Sequence, residues 1–426
     1  MRMKFFATTA MAVCIAGTGG NAFAEELTLL VDNSSDTVAI AEALTAAYSE
    51  MHPDVTFTVE TRPGGSEGDN IVKTRLATGE MTDVFLYNSG SLLQALRPAR
   101  TLEPLNDLPN MENVLESFTS TVSDDKGDIY GVPVQPAMGG GIFYHIPTYD
   151  ELGLEIPKTW EAFMENNAII AEKTDKAPII QTYRNTWTSQ LFVLADYYNV
   201  QIAEPGFAEK YTANEAKYAD TPEARKGFER LQSAYEAGYF NEDFGAATYN
   251  DGLRMVASGE GVHYPMLTFA IGAIKQNHPE LLKDVGFFAQ PGDDAENNGL
   301  TVWMPAAYYL PKGGDHTETA KDFLNFVATP EACDVMTDAI GASGPYLIKG
   351  CTLPDSVPPS VADMLPYFQE DGRTAPALEF LSPVKGPGLE QITVEVGSGI
   401  RDAQSAAALY DRDVEKQAKQ LRLPNW

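Results

Sequence analysis

The chain is short of cysteine, histidine, basic side chains and long apolar runs, and each shortage excludes a class of function. Its 426 residues include three Cys and five His. His52, His145, His263, His278 and His316 are scattered without ligand spacing, which argues against a metal site, and no cofactor is expected. Lys and Arg number 30 against 60 Asp and Glu, a net charge of −30, so nucleic acid and anionic lipid surfaces are poor partners. The acidic residues are spread along the chain and form no tail, so this charge reads as solubility. Beyond the N-terminus no stretch approaches the roughly 20 apolar residues of a membrane span.

What is present begins with a leader. Arg2 and Lys4 precede an apolar run from Phe5 to Gly17 and the small-residue site Ala22-Phe23-Ala24, the pattern of a cleavable secretory signal peptide over 1–24. Cys14 lies inside it, follows bulky Val13, and reads as an ordinary apolar residue. Cleavage near Ala24/Glu25 removes Arg2 and Lys4 and no acid, taking the net charge from −30 to −32. Only Cys333 and Cys351 then remain; an exported two-cysteine chain most often joins them, and two free buried thiols are the alternative. The length that is left suggests two or three domains.

Apolar Leu27, Leu29, Leu30 and Val31 predict a first strand, and Asn33-Ser34-Ser35-Asp36 after it offers helix-capping side chains. Ile40, Leu44, Ala47, Tyr48 and Met51 then recur on one helix face. Val55, Phe57 and Val59 alternate as a second strand; a second helix follows, and "DVFLYN" is a short buried third strand. This βαβαβ start implies a mostly parallel sheet with helices on its faces. A second α/β region carries helices over about 160–171, 188–198 and 222–237, with Thr159 as an N-cap. Strand character returns in "NGLTVWMPAAYYLPKGG", followed by helices over about 317–326 and 330–339 and two more at the end.

Gly64-Gly65-Ser66-Glu67-Gly68 matches G-x-S-x-G, the nucleophile elbow of serine hydrolases. The context is wrong for it. In a true elbow the strand runs directly into the serine turn, whereas Arg62-Pro63-Gly64 intervene here, and the Gly139-Gly140-Gly141 run follows the serine where an oxyanion loop should precede it. Ser66 reads as a helix cap on a turn, and a secreted hydrolase is the minor alternative.

Taken together, "IAEALTAAYSEMHPDVTFTVE", "LATGEMTDVFLYNSGSLLQAL", "DIYGVPVQPAMGGGIFYH", "LGLEIPKTWEAF", "AKDFLNFVATPEA", "IGASGPY" and the terminal "YDRDVEKQAKQLRLPNW" fall in a recognisable order. The sequence resembles the extracellular solute-binding proteins of carbohydrate ABC transporters, the group similar to maltose-binding protein. One departure is Phe143-Tyr144-His145-Ile146, where that family has a Tyr-Asn-Lys run, so no contact is carried to that place. The resemblance implies an α/β, two-lobed periplasmic-binding-protein fold of type II, with parallel-sheet lobes around a ligand cleft and three hinge crossings. One lobe is expected at 25–133 plus 300–345, the other at 134–299 plus 346–426. It also implies a periplasmic monomer, not an enzyme, that binds a sugar by lobe closure and delivers it to inner-membrane permease subunits driven by a cytoplasmic ATPase. A polyamine, a peptide or an acidic sugar are the alternative cargoes.

A sugar needs flat rings for its C–H face and side chains that donate and accept for its hydroxyls. Trp187 and Trp303 are the stacking candidates, against a reading as core or edge aromatics. Loops at the carboxyl ends of parallel strands, where open α/β sheets place ligands, offer Ser35 and Asp36, Glu67, and Asn88 and Ser89. Arg184 is a candidate donor, joined by Arg373 if the sugar is acidic. Tyr264 and Tyr346 are candidates because the resemblance places them near the cleft and the third crossing.

Overall fold

The computed structural model describes residues 25–304 and 306–426, so the leader expected over 1–24 lies outside the described residues. The strands are β1 Glu25–Asp32, β2 Val55–Arg62, β3 Val84–Asn88, β4 Gly131–Pro133, β5 Met138–His145, β6 Ala177–Ile179, β7 Gly261–Leu267, β8 Val285–Ala289, β9 Leu300–Trp303, β10 Ala306–Tyr309 and β11 Thr374–Pro376. Among the described residues they form two sheets. The first is ordered β2-β1-β3-β10-β4; the second is ordered β11-β9-β5-β7-β6, with β8 also paired to β5. Each sheet, with the helices packed on it, is a lobe.

The first lobe starts as the apolar pattern requires. Strand β1 pairs in parallel with β2 from Glu25↔Val55 to Asp32↔Arg62, and in parallel with β3 on its other side. Helix Ser35–Met51 makes the first crossover and buries Ile40, Leu44 and Tyr48. Leu27, Leu29, Leu30 and Val31 are fully buried, the near-continuous apolar run of a strand covered on both faces.

In the second lobe β5 is the hub. It pairs antiparallel with β7 on one side and, on the other, with β9 through its first half and β8 through its second. Its glycines permit this crowding: a Cβ on Gly140 would fall 2.3 Å from the Trp303 ring, and one on Gly141 2.3 Å from the Phe288 carbonyl. Helix Trp160–Lys173 begins at Thr159, whose side chain accepts the Ala162 N–H at 3.2 Å. The single helix expected over 188–198 is broken into a 3-10 turn, Thr186–Gln190, and the helices Leu191–Leu194 and Tyr197–Ala203. Buried Asp196 sits at the break, where it pairs with Arg230 and accepts from Asn199 at 2.8 Å.

Two lobe boundaries differ from the sequence expectation. Residues 300–303, expected with the first lobe, pair within the second sheet as β9. Thr301 fixes them there, donating to the Ala195 carbonyl at 2.7 Å and accepting the Tyr198 N–H at 2.8 Å. Residues 346–351, expected in the second lobe, stay with the first. Leu115 N–H donates to the Leu347 carbonyl at 2.9 Å, Lys349 N–H donates to Asn113 at 2.7 Å, and Cys351 is bonded to Cys333 of helix Pro330–Ile340. The chain joins the second lobe by helix Pro359–Gln369, whose Asp363 accepts the Phe287 N–H of β8 at 3.0 Å.

Helix Ala270–Asn277 of the second lobe packs on the first. Asn277 donates to Ser35 Oγ at 3.0 Å, and Gly272 lies over Asp36 and Ile340, where a Cβ would meet both at 3.4 and 3.0 Å.

Candidate functional site

Between the lobes lies a cavity of about 920 Å³, toward the upper end of the roughly 300–1,000 Å³ usual for ligand pockets. The first lobe contributes the carboxyl ends of its parallel strands: Asp32, the last residue of β1, with Asn33 and Ser34 beyond it, Gly64 to Ser66 after β2, and Asn88 at the end of β3. Such ends are open because the chain must turn there into a crossover helix. The second lobe contributes Asn185, Trp187, Thr248 to Asn250, Phe269, Trp303, Glu379 and Glu390, and the last helix adds Asp413 and Lys416.

One wall is aromatic. The Trp187 ring lies 5.2 Å from Tyr249 and 6.0 Å from Phe269, and those two are 5.8 Å apart. Trp187 is half-buried against the Gly64-Gly65 turn, where a Cβ on Gly65 would stand 3.4 Å from it. Gly65 also has φ +67°, a conformation that penalises any Cβ, so the turn needs glycine twice over. Tyr249 opens helix Tyr249–Ser258 behind a capping box, in which Thr248 accepts the Asp251 N–H and Asp251 accepts the Thr248 N–H.

The GGSEG turn is held across the cleft. Helix Gly65–Thr78 presents Ser66 in its first turn, and Glu390 of the second-lobe helix Leu389–Gly397 accepts its N–H at 3.2 Å and also its hydroxyl. The other Glu390 oxygen accepts from Thr186 at 3.0 Å. Burial raises the Glu390 carboxyl above its ordinary range, against the hydrogen bonds from Thr186 and Ser66 that favour its charged form. The Ser66 hydroxyl is committed to a carboxylate, and among the described residues no histidine lines the cavity.

Of the residues singled out from sequence, Asn88, Trp187 and Trp303 reach the cavity wall. They differ in what they expose. Trp187 is half-buried, whereas Trp303 is 3% exposed, packed on Gly140, and donates its indole N–H to Glu379 at 2.6 Å. The others lie off the wall. Ser35 accepts from Asn277; Asp36 is buried beneath helix Ala270–Asn277; Glu67 is exposed in the first turn of its helix. Ser89 is buried, donating to the Met304 carbonyl at 2.6 Å. Arg184 points to solvent, and Arg373 donates to the Asn298 carbonyl and pairs with Glu370. Tyr264 is a core ring bonded to Thr182 at 2.8 Å, and the Tyr346 hydroxyl is bonded to Thr337. Among the described residues no group of three or more His, Cys, Asp or Glu is arranged to hold a metal.

Sequence reading missed Tyr249, Phe269, Glu379, Lys385 and Glu390. For Tyr249 a signal existed in the T-x-x-D capping box at 248–251. For Glu379 and Glu390 there was none, since nothing local separates them from the other acidic residues.

The model of the bacterial extracellular solute-binding protein family matches residues 32–332. The chain is 25% identical over 294 residues to the multiple sugar-binding protein of Streptococcus mutans, covering 67% of each. It is 24% identical to an ABC transporter extracellular-binding protein of Pyrococcus horikoshii, covering 66% of this chain and 64% of that one. Among solved structures, a chitin oligosaccharide binding protein superposes with a TM-score of 0.80 at 21% identity, covering 92% of this chain and 99% of the other. The solute-binding protein RafE in complex with raffinose gives 0.74 at 21% identity, covering 93% and 99%.

Proposed function

This chain belongs to the bacterial extracellular solute-binding protein family, and from that premise we propose that it holds a neutral disaccharide or short oligosaccharide between its lobes and delivers it to an ABC permease. It is a binding protein, not an enzyme. The observation that carries the sugar is the Trp187-Tyr249-Phe269 wall in a 920 Å³ cleft whose other polar lining mixes Asn, Gln, Ser, Thr, carboxylate and lysine side chains, beside leucines. Flat rings cover the C–H face of a pyranose, and the rim answers its hydroxyls. The multiple sugar-binding relative and the raffinose-bound neighbour support the same cargo class.

Closure is the working motion: a ligand touching both lobes binds the closed form better than the open one and shifts the population by that difference. The protein acts as a periplasmic monomer after cleavage near Ala24/Glu25, and the closed, loaded form engages permease subunits powered by a cytoplasmic ATPase. A thermal-shift screen of the purified protein against sugars, polyamines and short peptides tests the cargo, because a ligand bound only by the folded state raises its melting temperature. Sugars should raise it; a response to polyamines or peptides alone would overturn the assignment.

A further inference from the structure

Glu379 lies in the cavity wall on the short helix Leu378–Leu381, and half of its carboxylate is already committed. Trp303 Nε1–H donates to Oε1 at 2.6 Å, and Lys385 Nζ donates to Oε2 at 2.8 Å. An ionised carboxylate offers about four lone-pair positions, so about two remain. The pair is withdrawn from bulk water, with side-chain exposures of 12% for Glu379 and 14% for Lys385.

The indole side of this arrangement is packed tight. The Trp303 ring is flattened on Gly140 and packed with Met138, Ala195 and Ala377, so its N–H has one direction. The first lobe closes over the same place: a Cβ on Gly90 would come within 2.4 Å of the Glu379 carbonyl. Trp303 therefore spends its polar edge on Glu379 and offers almost no face for stacking.

We propose that Glu379 is a binding residue, accepting hydroxyl groups of the bound sugar through its remaining lone pairs, with Trp303 and Lys385 as positioning residues. This rests on the sugar reading above. A carboxylate fixed and dried before the ligand arrives demands a donor, because closing over a group without one leaves the acceptor unpaired. The subsite thus selects a neutral hydroxylated ligand and rejects one bearing a carboxylate there.

The test is calorimetric titration of the purified protein with raffinose, a chitin oligosaccharide and digalacturonic acid. The wild type should bind a neutral probe and not the diacid. Glu379→Gln should weaken the neutral probe tenfold or more while the melting temperature stays within a few degrees. Trp303→Phe should weaken it as well, and adding Glu379→Gln to Trp303→Phe should cost little further, since one acts through the other. Lys385→Met keeps the carboxylate and its indole donor, so a smaller loss there guards against a misfolded Glu379 variant. Unchanged affinity in Glu379→Gln, fully additive losses, or diacid binding as tight as the neutral probe overturns the role of Glu379 and leaves the sugar assignment standing. A wild type that binds peptides or polyamines and no sugar overturns the assignment and this inference with it.

Discussion

The carboxylate of Glu390 in the second lobe accepts the backbone N–H of Ser66 in the first at 3.2 Å. It stands at the start of helix Gly65–Thr78, where orphan N–H groups and the helix dipole both favour an anion. A hydrogen bond to a charged group is worth roughly 1.5–3 kcal/mol. Replacing Glu390 with Ala should therefore shift the ligand-free protein toward the open form by about tenfold or more. Small-angle X-ray scattering should report a larger radius of gyration; an unchanged profile would mean the contact does not govern closure.

Trp187 supplies a half-buried ring to the aromatic wall, where Tyr249 is buried. Trp187→Ala should weaken the best sugar by one or more tenfold steps, read by titration, with the melting temperature nearly kept. Affinity equal to wild type would return the ring to a packing role.

Asp36 gives a pH dependence. Its carboxyl oxygens have no hydrogen-bond partner among the described residues, and neither has the nearby Tyr249 hydroxyl. Burial first, and then the neighbouring Asp32 carboxylate, raise its pKa to about 7. The folded state thus holds this proton more tightly than the unfolded chain does. Its stabilising contribution is complete in acid and is lost as pH rises from about 4, the unfolded value, through about 7. Asp36→Asn should remove that slope and be more stable than wild type at pH 8 by on the order of a few kcal/mol, seen as a higher melting temperature. Parallel melting curves for the two proteins across pH 5 to 8 would contradict it.

The Cys333–Cys351 bridge spans 18 residues and pins the segment after Gly341 to the first lobe. In the chain-entropy model a loop of that size is worth about 3 kcal/mol. Reduction, or the double replacement by Ala, should lower the melting temperature while leaving sugar affinity within about twofold, since neither cysteine lines the cavity.

Gly65→Ala should do the reverse. Its φ of +67° costs a side chain about 1–2 kcal/mol, and the added methyl would press on Glu390 Oε2 at 3.3 Å and on Trp187 at 3.4 Å. Affinity should fall by more than stability does, and a variant that binds as well as wild type would show that the turn tolerates displacement.

The fold was legible where a pattern is local. The run Leu27 to Val31, the helix face Ile40-Leu44-Tyr48 and the Thr159 cap each announce themselves within a few residues. Lobe boundaries depend on partners far away: the place of β9 is fixed by Thr301 bonding to Ala195, 106 positions off. The site divides in the same way. Trp187 stands out by residue type, and Asn88 by its place at a strand end. Glu379 and Glu390 owe their position to Trp303, Lys385, Ser66 and Thr186, which only the folded chain brings near. Tyr264 and Ser89 are bonded to buried neighbours, Thr182 and the Met304 carbonyl, which neither a resemblance nor a strand end reveals.

Strand β9 ends at Trp303 and β10 begins at Ala306, so three virtual bonds link the two sheets at that point. At about 3.8 Å per step the two strand ends stay within about 11 Å whatever the lobes do. Separation beyond that reach is ruled out there by chain length alone. For any rotation of the lobes about an axis close to this tether, displacement grows with distance from it, as along a lever.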